Sequence, residues 1–218
     1  MNHWIQIELL SDTCFSAGVG FFGEVDTDIE QEENLGLPCI RGRTIKGLMV
    51  EECAWILQSL ILCNASSRWN EAARSLFGAS GSSQKAQLNI GNAFLSQTFR
   101  KAVQKDIQNN VLTPHKILRS LTDIRYQTKI DRKTHAPEAH SLRNTRLTLK
   151  GLFFYSPIRG AALLNEDEKA LLAGCVMAIR RGGIHRNRGW GKLDLRILEP
   201  DLNDVTNQWA TPLLNPWN

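Results

Sequence analysis

The first 40 residues contain no lysine or arginine, although they hold eight acids: Glu8, Asp12, Glu24, Asp26, Asp28, Glu30, Glu32 and Glu33. All 26 bases of the 218-residue chain therefore fall after residue 40, against 14 acids there, and an overall net charge of +4 hides a basic excess of 12. Such a split predicts a basic surface for a polyanion and a separate acidic segment. By its charge alone that acidic segment is a solvated loop, a metal site or a docking surface for a basic neighbour. No apolar run reaches the about 18 residues of a membrane span, so no membrane partner is expected. The N-terminus lacks a basic region followed by an apolar stretch, which predicts no secretory signal. Cys-x-x-Cys is absent, and the five cysteines, Cys14, Cys39, Cys53, Cys63 and Cys175, stand far apart. That argues against zinc and fits reduced thiols in the cytoplasm. No internal repeat is present. At 42% apolar and 22% charged residues, the composition is that of one globular domain over 1–218.

Along the chain, Trp4 to Leu10 alternates apolar and polar, with Ile5, Ile7 and Leu9 on one face, the period of a half-buried strand. Asp26 to Asn34 reads as an exposed acidic loop. Ile45, Met49, Cys53, Ile56, Leu60 and Cys63 then recur at three- and four-residue steps, which predicts a long helix. Ser66 to Gly81 reads as a short helix or turn ending in a Gly/Ser loop, and Leu88 to Leu95 as a second strand. Residues 96–146 are basic and lack a sustained apolar face, which predicts an insertion projecting from the sheet with Arg125–Ile130 partly strand. Arg146 to Ser156 reads as a third strand. Asn165 and Glu168 form a capping box that opens a second helix. Leu193, Leu195 and Ile197 alternate in a last strand, and 199–218 is a polar tail with Trp209 and Trp217. The order β, α, β, insertion, β, α, β predicts an α/β (α+β) fold with a ferredoxin-like, RRM-like βαββαβ core. Two helices would cover one face of its sheet, and the other face is a common place for RNA.

Two stretches carry candidate chemistry. Arg41, Arg43 and Lys46, with Thr44, cluster at the start of the long helix, where the dipole and free N–H groups favour an anion. Bases there oppose the dipole, and a bound phosphate resolves the conflict. The second stretch runs from Gly182 to Lys192, with four glycines in ten residues and His185, Arg186, Asn187 and Arg188 between them. Glycines cannot be helix interior at that density; they suit a loop that lies close to other backbone. Arg186, Asn187 and Arg188 make it a candidate holder of a nucleic-acid backbone.

The chain resembles a known family in Asp26, Leu37-Pro38, Gly42-Arg43-Thr44-Ile45-Lys46-Gly47, Leu76-Phe77-Gly78, the run Ile130 to Ala136, and Gly182-Gly183 to Gly189-Trp190-Gly191. In this order and spacing they are similar to the RAMP superfamily of CRISPR effector complexes. The resemblance is to the Cas-seven-like backbone subunits of type III systems, with wording from Gly36 to Glu52 closest to type III-D. It implies an RRM-like core with a projecting thumb at 96–146, stacked on a guide crRNA with neighbouring RAMP subunits and other subunits of an antiviral defence complex. Asp26 matches the family's cleaving aspartate, which acts on target RNA. Lys46 matches the lysine at the guide backbone, and Ile130–Ala136 matches the base of the thumb hairpin. Arg125, Lys129, Arg132, Lys133 and His135 of the thumb become candidate RNA contacts. RNA cleavage beside a 2′-hydroxyl needs a base or a divalent metal. Asp26 could serve as either base or Mg²⁺ ligand, with Asp28 and Glu24 either sharing the metal or facing solvent. The loop carries Ile184, His185, Arg186 and Asn187 where the family has small residues. Two other readings stay open: a non-cleaving capping subunit of the same complex, and a standalone RNase for guide precursors using His185 or His135.

Overall fold

The structure is a computed structural model that describes residues 2–18, 20, 24–63, 67–78 and 86–214. Strand β1 (His3–Leu9) buries Ile5, Ile7 and Leu9 and leaves Trp4, Gln6 and Glu8 half-exposed, as the alternation predicts. It is central, pairing antiparallel with β7 (Phe153–Arg159) on one side and β8 (Leu193–Leu198) on the other. Ile7 lies opposite Phe154 and Leu195, so three strands present apolar side chains to one face. The short β4 (Asn89–Ile90) pairs with the far side of β7 and completes the order β4-β7-β1-β8. With the helices at Gly42–Leu62 (α1) and Glu166–Ala178 (α5), the chain runs β1, α1, β4, β7, α5, β8 through this sheet, the ferredoxin-like arrangement.

Helix α1 (Gly42–Leu62) buries Ile45, Met49, Cys53 and Leu60, and α5 (Glu166–Ala178) packs beside it through Leu171, Leu172, Cys175 and Val176. The capping box of α5 forms: Asn165 Oδ1 accepts from the Glu168 N–H at 2.8 Å, and Glu168 Oε2 accepts from the Asn165 N–H at 2.9 Å. On the opposite face of the sheet, Gln6 Nε2 donates to the Tyr155 hydroxyl at 3.2 Å, and Arg196 pairs with Asp194 at 3.0 Å. No helix among the described residues is long and apolar enough to cross a membrane.

Several elements differ from their sequence reading. Arg146 to Ser156 is two strands, because Lys150 and Gly151 turn the chain, Gly151 at φ 84°. The first half ends β6 (Arg143–Thr148), which pairs with β5 (Thr122–Gln127) in a separate hairpin, and the second half begins β7. The stretch 96–146 divides. Helices α3 (Gln97–Gln108) and α4 (Pro114–Leu121) bury Val103, Ile117 and Leu118, so an apolar face exists, spread over two short helices. Only the β5–β6 hairpin, with its tip at 128–142, projects. Leu88 to Leu95 shrinks to β4 plus single bridges at Ala93 and Phe94. Ser67–Phe77 forms α2, which packs on α5 through buried Trp69, Ala72 and Leu76. The Gly/Ser loop after it lies outside the described residues. The tail forms α6 (Thr206–Leu214), whose Trp209 packs on the core and stacks 5.2 Å from His3; Trp217 lies outside the described residues.

Candidate nucleic-acid interface

The acidic segment is the largest departure from expectation. It is docked, with Asp28 and Ile29 buried. Leu37–Pro38 (β3) returns against Gln31–Glu32 (β2) as a short hairpin. The segment's acids meet the bases that follow residue 40. Glu30 contacts Arg41 at 2.5 Å, and Glu32 is paired with Arg100 through two nitrogens. Asp28 Oδ1 accepts from Arg146 Nε at 2.9 Å, and Glu24 Oε2 from Nη2 of the same guanidinium at 2.9 Å. Arg146 is 3% exposed and Asp28 8%, so this pair is buried.

Asp26 sits between these contacts, on an exposed position beside β6. Its N–H donates to the Asn144 side-chain Oδ1 at 2.5 Å and lies 3.2 Å from the Asn144 carbonyl. The Asn144 N–H donates back to Asp26 Oδ2 at 2.8 Å, and Asn144 Nδ2 donates to the Glu24 carbonyl at 3.1 Å. Thr27 bridges Thr145 in parallel register. Asn144 and Arg146 alternate on β6 as Glu24, Asp26 and Asp28 alternate on the loop. Sequence reasoning missed Asn144 and this role of Arg146, although the complementary alternation is visible once the two segments are compared.

A second small core lies beneath. Cys14, Ile29, Leu118 and Leu147 form it, with Ile184 and Trp190 packed against it. It joins the acidic loop, α4, the hairpin base and the glycine loop. Ile184 thus serves as an apolar anchor. His185 stands edge-on to Trp190 at 5.3 Å. The glycine loop folds over the 11–14 segment: the Ile184 N–H donates to the Cys14 carbonyl at 2.9 Å, and the Gly191 N–H to the Asp12 carbonyl at 3.1 Å. A Cβ on Gly191, at φ 71°, would meet the Gly182 carbonyl oxygen at 2.0 Å, so only glycine fits there. Burial, aided by the charge of Asp28, pushes the Cys14 thiol up to about 12, and burial beside Glu30 pushes Cys39 up to about 11.

The expected RNA contacts divide into two groups. Arg186 makes a two-bond pair with Glu51 of α1, at 3.0 and 2.6 Å. That hydrogen bond holds Glu51 below the usual carboxylate range and raises Arg186. Arg125 is held by Asp12 at 3.1 Å and Asp123 at 3.0 Å, Lys129 by Glu138 at 2.7 Å, and Arg41 by Glu30. By contrast, Arg43, Lys46, Arg132, Lys133 and Arg188 have no side-chain partner among the described residues, and all but the half-buried Lys46 are exposed. Thr44 is half-buried in the first turn of α1; Asn187 lies exposed in the short 3-10 turn Arg186–Arg188, and His135 is exposed at the hairpin tip with φ 54°. At that tip Asp131 Oδ1 accepts the N–H groups of Lys133 at 2.6 Å and Thr134 at 3.0 Å, which hold its carboxyl below the ordinary range and shape the turn. Asn92 Oδ1 accepts the Gly42 N–H at 2.9 Å, capping α1 in place of a side chain from Arg41.

As a metal centre the site offers little beyond Asp26. Among the described residues no group of three or more His, Cys, Asp or Glu side chains is arranged to hold an ion. Asp28 and Glu24 are committed to Arg146. A magnesium ion here would take a single carboxylate and complete its shell with phosphate oxygens and water, a set that Mg²⁺ accepts.

A family model described as the RAMP superfamily matches residues 6–194. A search of curated proteins finds no match. Among solved structures, a chain of a type III-B Cmr-beta complex bound to cognate target RNA superposes with a TM-score of 0.65 at 12% identity, covering 90% of this chain and 97% of that one. A chain of the same kind of complex in its apo state gives 0.64 at 12% identity, covering 92% and 98%. At that identity the likeness speaks for the fold.

Proposed function

The chain belongs to the RAMP superfamily, and from that premise we propose that it is a guide-RNA-binding backbone subunit of a type III CRISPR effector complex. In this reading it acts in the cytoplasm, contacts neighbouring RAMP subunits along the crRNA, and cuts paired target RNA through Asp26. The observation that carries the reading is the placement of Asp26. It is an exposed carboxylate held by main-chain and side-chain bonds to Asn144, at the end of the β5–β6 ladder nearest a hairpin tip whose Arg132 and Lys133 have no side-chain partner among the described residues. Arg43, Lys46 and Arg188, without side-chain partners among the described residues, supply further charge for phosphates at the start of α1 and in the glycine loop.

Cleavage beside a 2′-hydroxyl requires removal of its proton and alignment of the oxygen with the phosphorus. The Asn144 N–H fixes Asp26 Oδ2. The other oxygen, Oδ1, accepts no hydrogen bond from the described residues and in this reading takes or orients the hydroxyl proton. A divalent ion, when bound, would stabilise charge developing on the leaving oxygen. The test is an assay on end-labelled target RNA with the assembled complex. Asp26→Asn keeps the shape of the side chain and removes its charge; target should still bind, and cutting at the site facing this subunit should be lost. Unchanged cutting refutes the assignment. No cutting by the parent marks a non-cleaving capping subunit, and cutting that persists both in a chelator and in Asp26→Asn favours a metal-free, histidine-based nuclease.

A further inference from the structure

The acidic loop and the thumb strand lie 118 residues apart in sequence at their contacts, yet the structure locks them together. Asn144 makes three of the locking bonds. Its side chain accepts from the Asp26 N–H and donates to the Glu24 carbonyl, and its own N–H donates to the Asp26 carboxylate. Two residues on, Arg146 spans Asp28 and Glu24 with one guanidinium. The Arg146 N–H also donates to the Thr27 carbonyl at 3.0 Å. Every acid from 24 to 28 is thus held from β6, and each contact restrains the loop on either side of Asp26. Glu24 also faces His115 of α4 at 3.8 Å.

We propose that Asn144 and Arg146 are positioning residues for Asp26. They make the cutting loop a passenger of the thumb strand, so the hairpin that meets RNA and the carboxylate that acts on it keep one geometry. This rests on the proposed cleavage by Asp26. The physical warrant is that a reacting group displaced by about 1 Å can lose on the order of 100-fold in rate while binding is untouched. Neither side chain needs to touch RNA for this. Arg146 is buried beneath the loop, and the Asn144 side chain is occupied by Glu24 and Asp26.

The assembled complex carrying Asn144→Ala is the first test, because this half-exposed side chain can be removed without leaving a buried charge. Arg146→Lys is the second: it keeps the charge and loses the two-carboxylate span. Single-turnover cutting of bound target should fall roughly 10-fold or more in each, with target affinity within about 2-fold of the parent, on the scale of misplaced catalytic groups. A purely structural role would lower affinity and cutting together. In parallel, hydrogen exchange at the Asp26 and Thr27 amides should accelerate several-fold in Asn144→Ala while exchange in β1 and α5 stays at the parental rate. Parental exchange at those two amides overturns the proposal whether or not the complex cuts. Parental cutting in Asn144→Ala overturns it too, provided Asp26→Asn abolishes cutting. If Asp26→Asn itself cuts normally, the cleavage assignment has failed, and the exchange rates alone decide whether Asn144 positions the loop.

Discussion

At the scale of single residues, Asp26 and Asp28 separate by burial rather than by charge. Asp28 is paired with a guanidinium that is itself almost fully buried. Removing Asp28 would leave Arg146 with Glu24 as its remaining acid and one buried N–H without its partner, at a cost of about 2 kcal/mol. Asp28→Asn should therefore lower the unfolding free energy by about that amount in a denaturant titration, whereas Asp26→Asn at its exposed position should change it by less than about 1 kcal/mol. Equal effects would mean the buried pair is not formed. The cysteines divide in the same way. Cys14, Cys39, Cys53 and Cys175 are buried and Cys63 is exposed. The raised values of Cys14 and Cys39 leave almost no thiolate at pH 8. A thiol reagent at that pH should modify one cysteine rapidly in the native chain, and mass spectrometry should place the label on Cys63. Rapid labelling of Cys14 would contradict its burial.

At the scale of elements, the glycine loop is held by close backbone approach at one end and is open at the other. Gly191 has positive φ and no room for a Cβ; Gly189 has φ 93° with nothing within 4 Å. Gly191→Ala should therefore cost more than about 2 kcal/mol, and Gly189→Ala about 1 kcal/mol from backbone strain alone. Thermal melts of the two variants compare them directly, and a milder Gly191 variant would sink this account of the loop. The basic residues at the start of α1 follow a different logic. The Gly42 N–H is already taken by Asn92 and Arg41 by Glu30, so Arg43 and Lys46 carry the charge left for an anion. Lys46→Ala should weaken guide binding and leave the melting temperature within about 2 °C, since it removes no ion pair or hydrogen bond among the described residues. A melting shift without loss of guide binding would make Lys46 a structural residue.

At the scale of the whole molecule, part of the basic excess after residue 40 is neutralised internally by the acids before it. Arg41, Arg100, Arg125 and Arg146 all pair with acids from the first 40 residues. The free basic charge is accordingly smaller than composition suggests, and the part of it proposed to meet RNA sits at the hairpin tip, the start of α1 and the glycine loop. With Arg43, Lys46, Arg132, Lys133 and Arg188 displacing counterions from single-stranded RNA, the logarithm of the guide-binding constant should fall with the logarithm of salt at a slope of about −3 or steeper. The double variant Arg132→Ala/Lys133→Ala should make that slope shallower by about 1. A flat salt dependence would leave these bases without a role in RNA binding.

The sequence by itself determined the sheet core, the two long helices and the family. Alternation in β1 and β8, the three- and four-residue spacing in α1 and the Asn165–Glu168 box are local patterns, and local patterns survive without knowledge of what packs on them. It also marked Asp26 and the glycine loop by their motifs. Only the tertiary structure decided the state of the charges. Whether Asp28, Glu30 or Arg186 is free depends on partners 118, 11 and 135 residues away, and no window of sequence contains such a pairing rule. The same holds for the small core of Cys14, Ile29, Leu118 and Leu147, assembled from four short segments that each bury a single residue in it. None of the four segments shows a periodic face for this core, yet their packing sets where the acidic loop meets the β5–β6 hairpin, because buried contacts and ion pairs are properties of distance in space and not of distance along the chain.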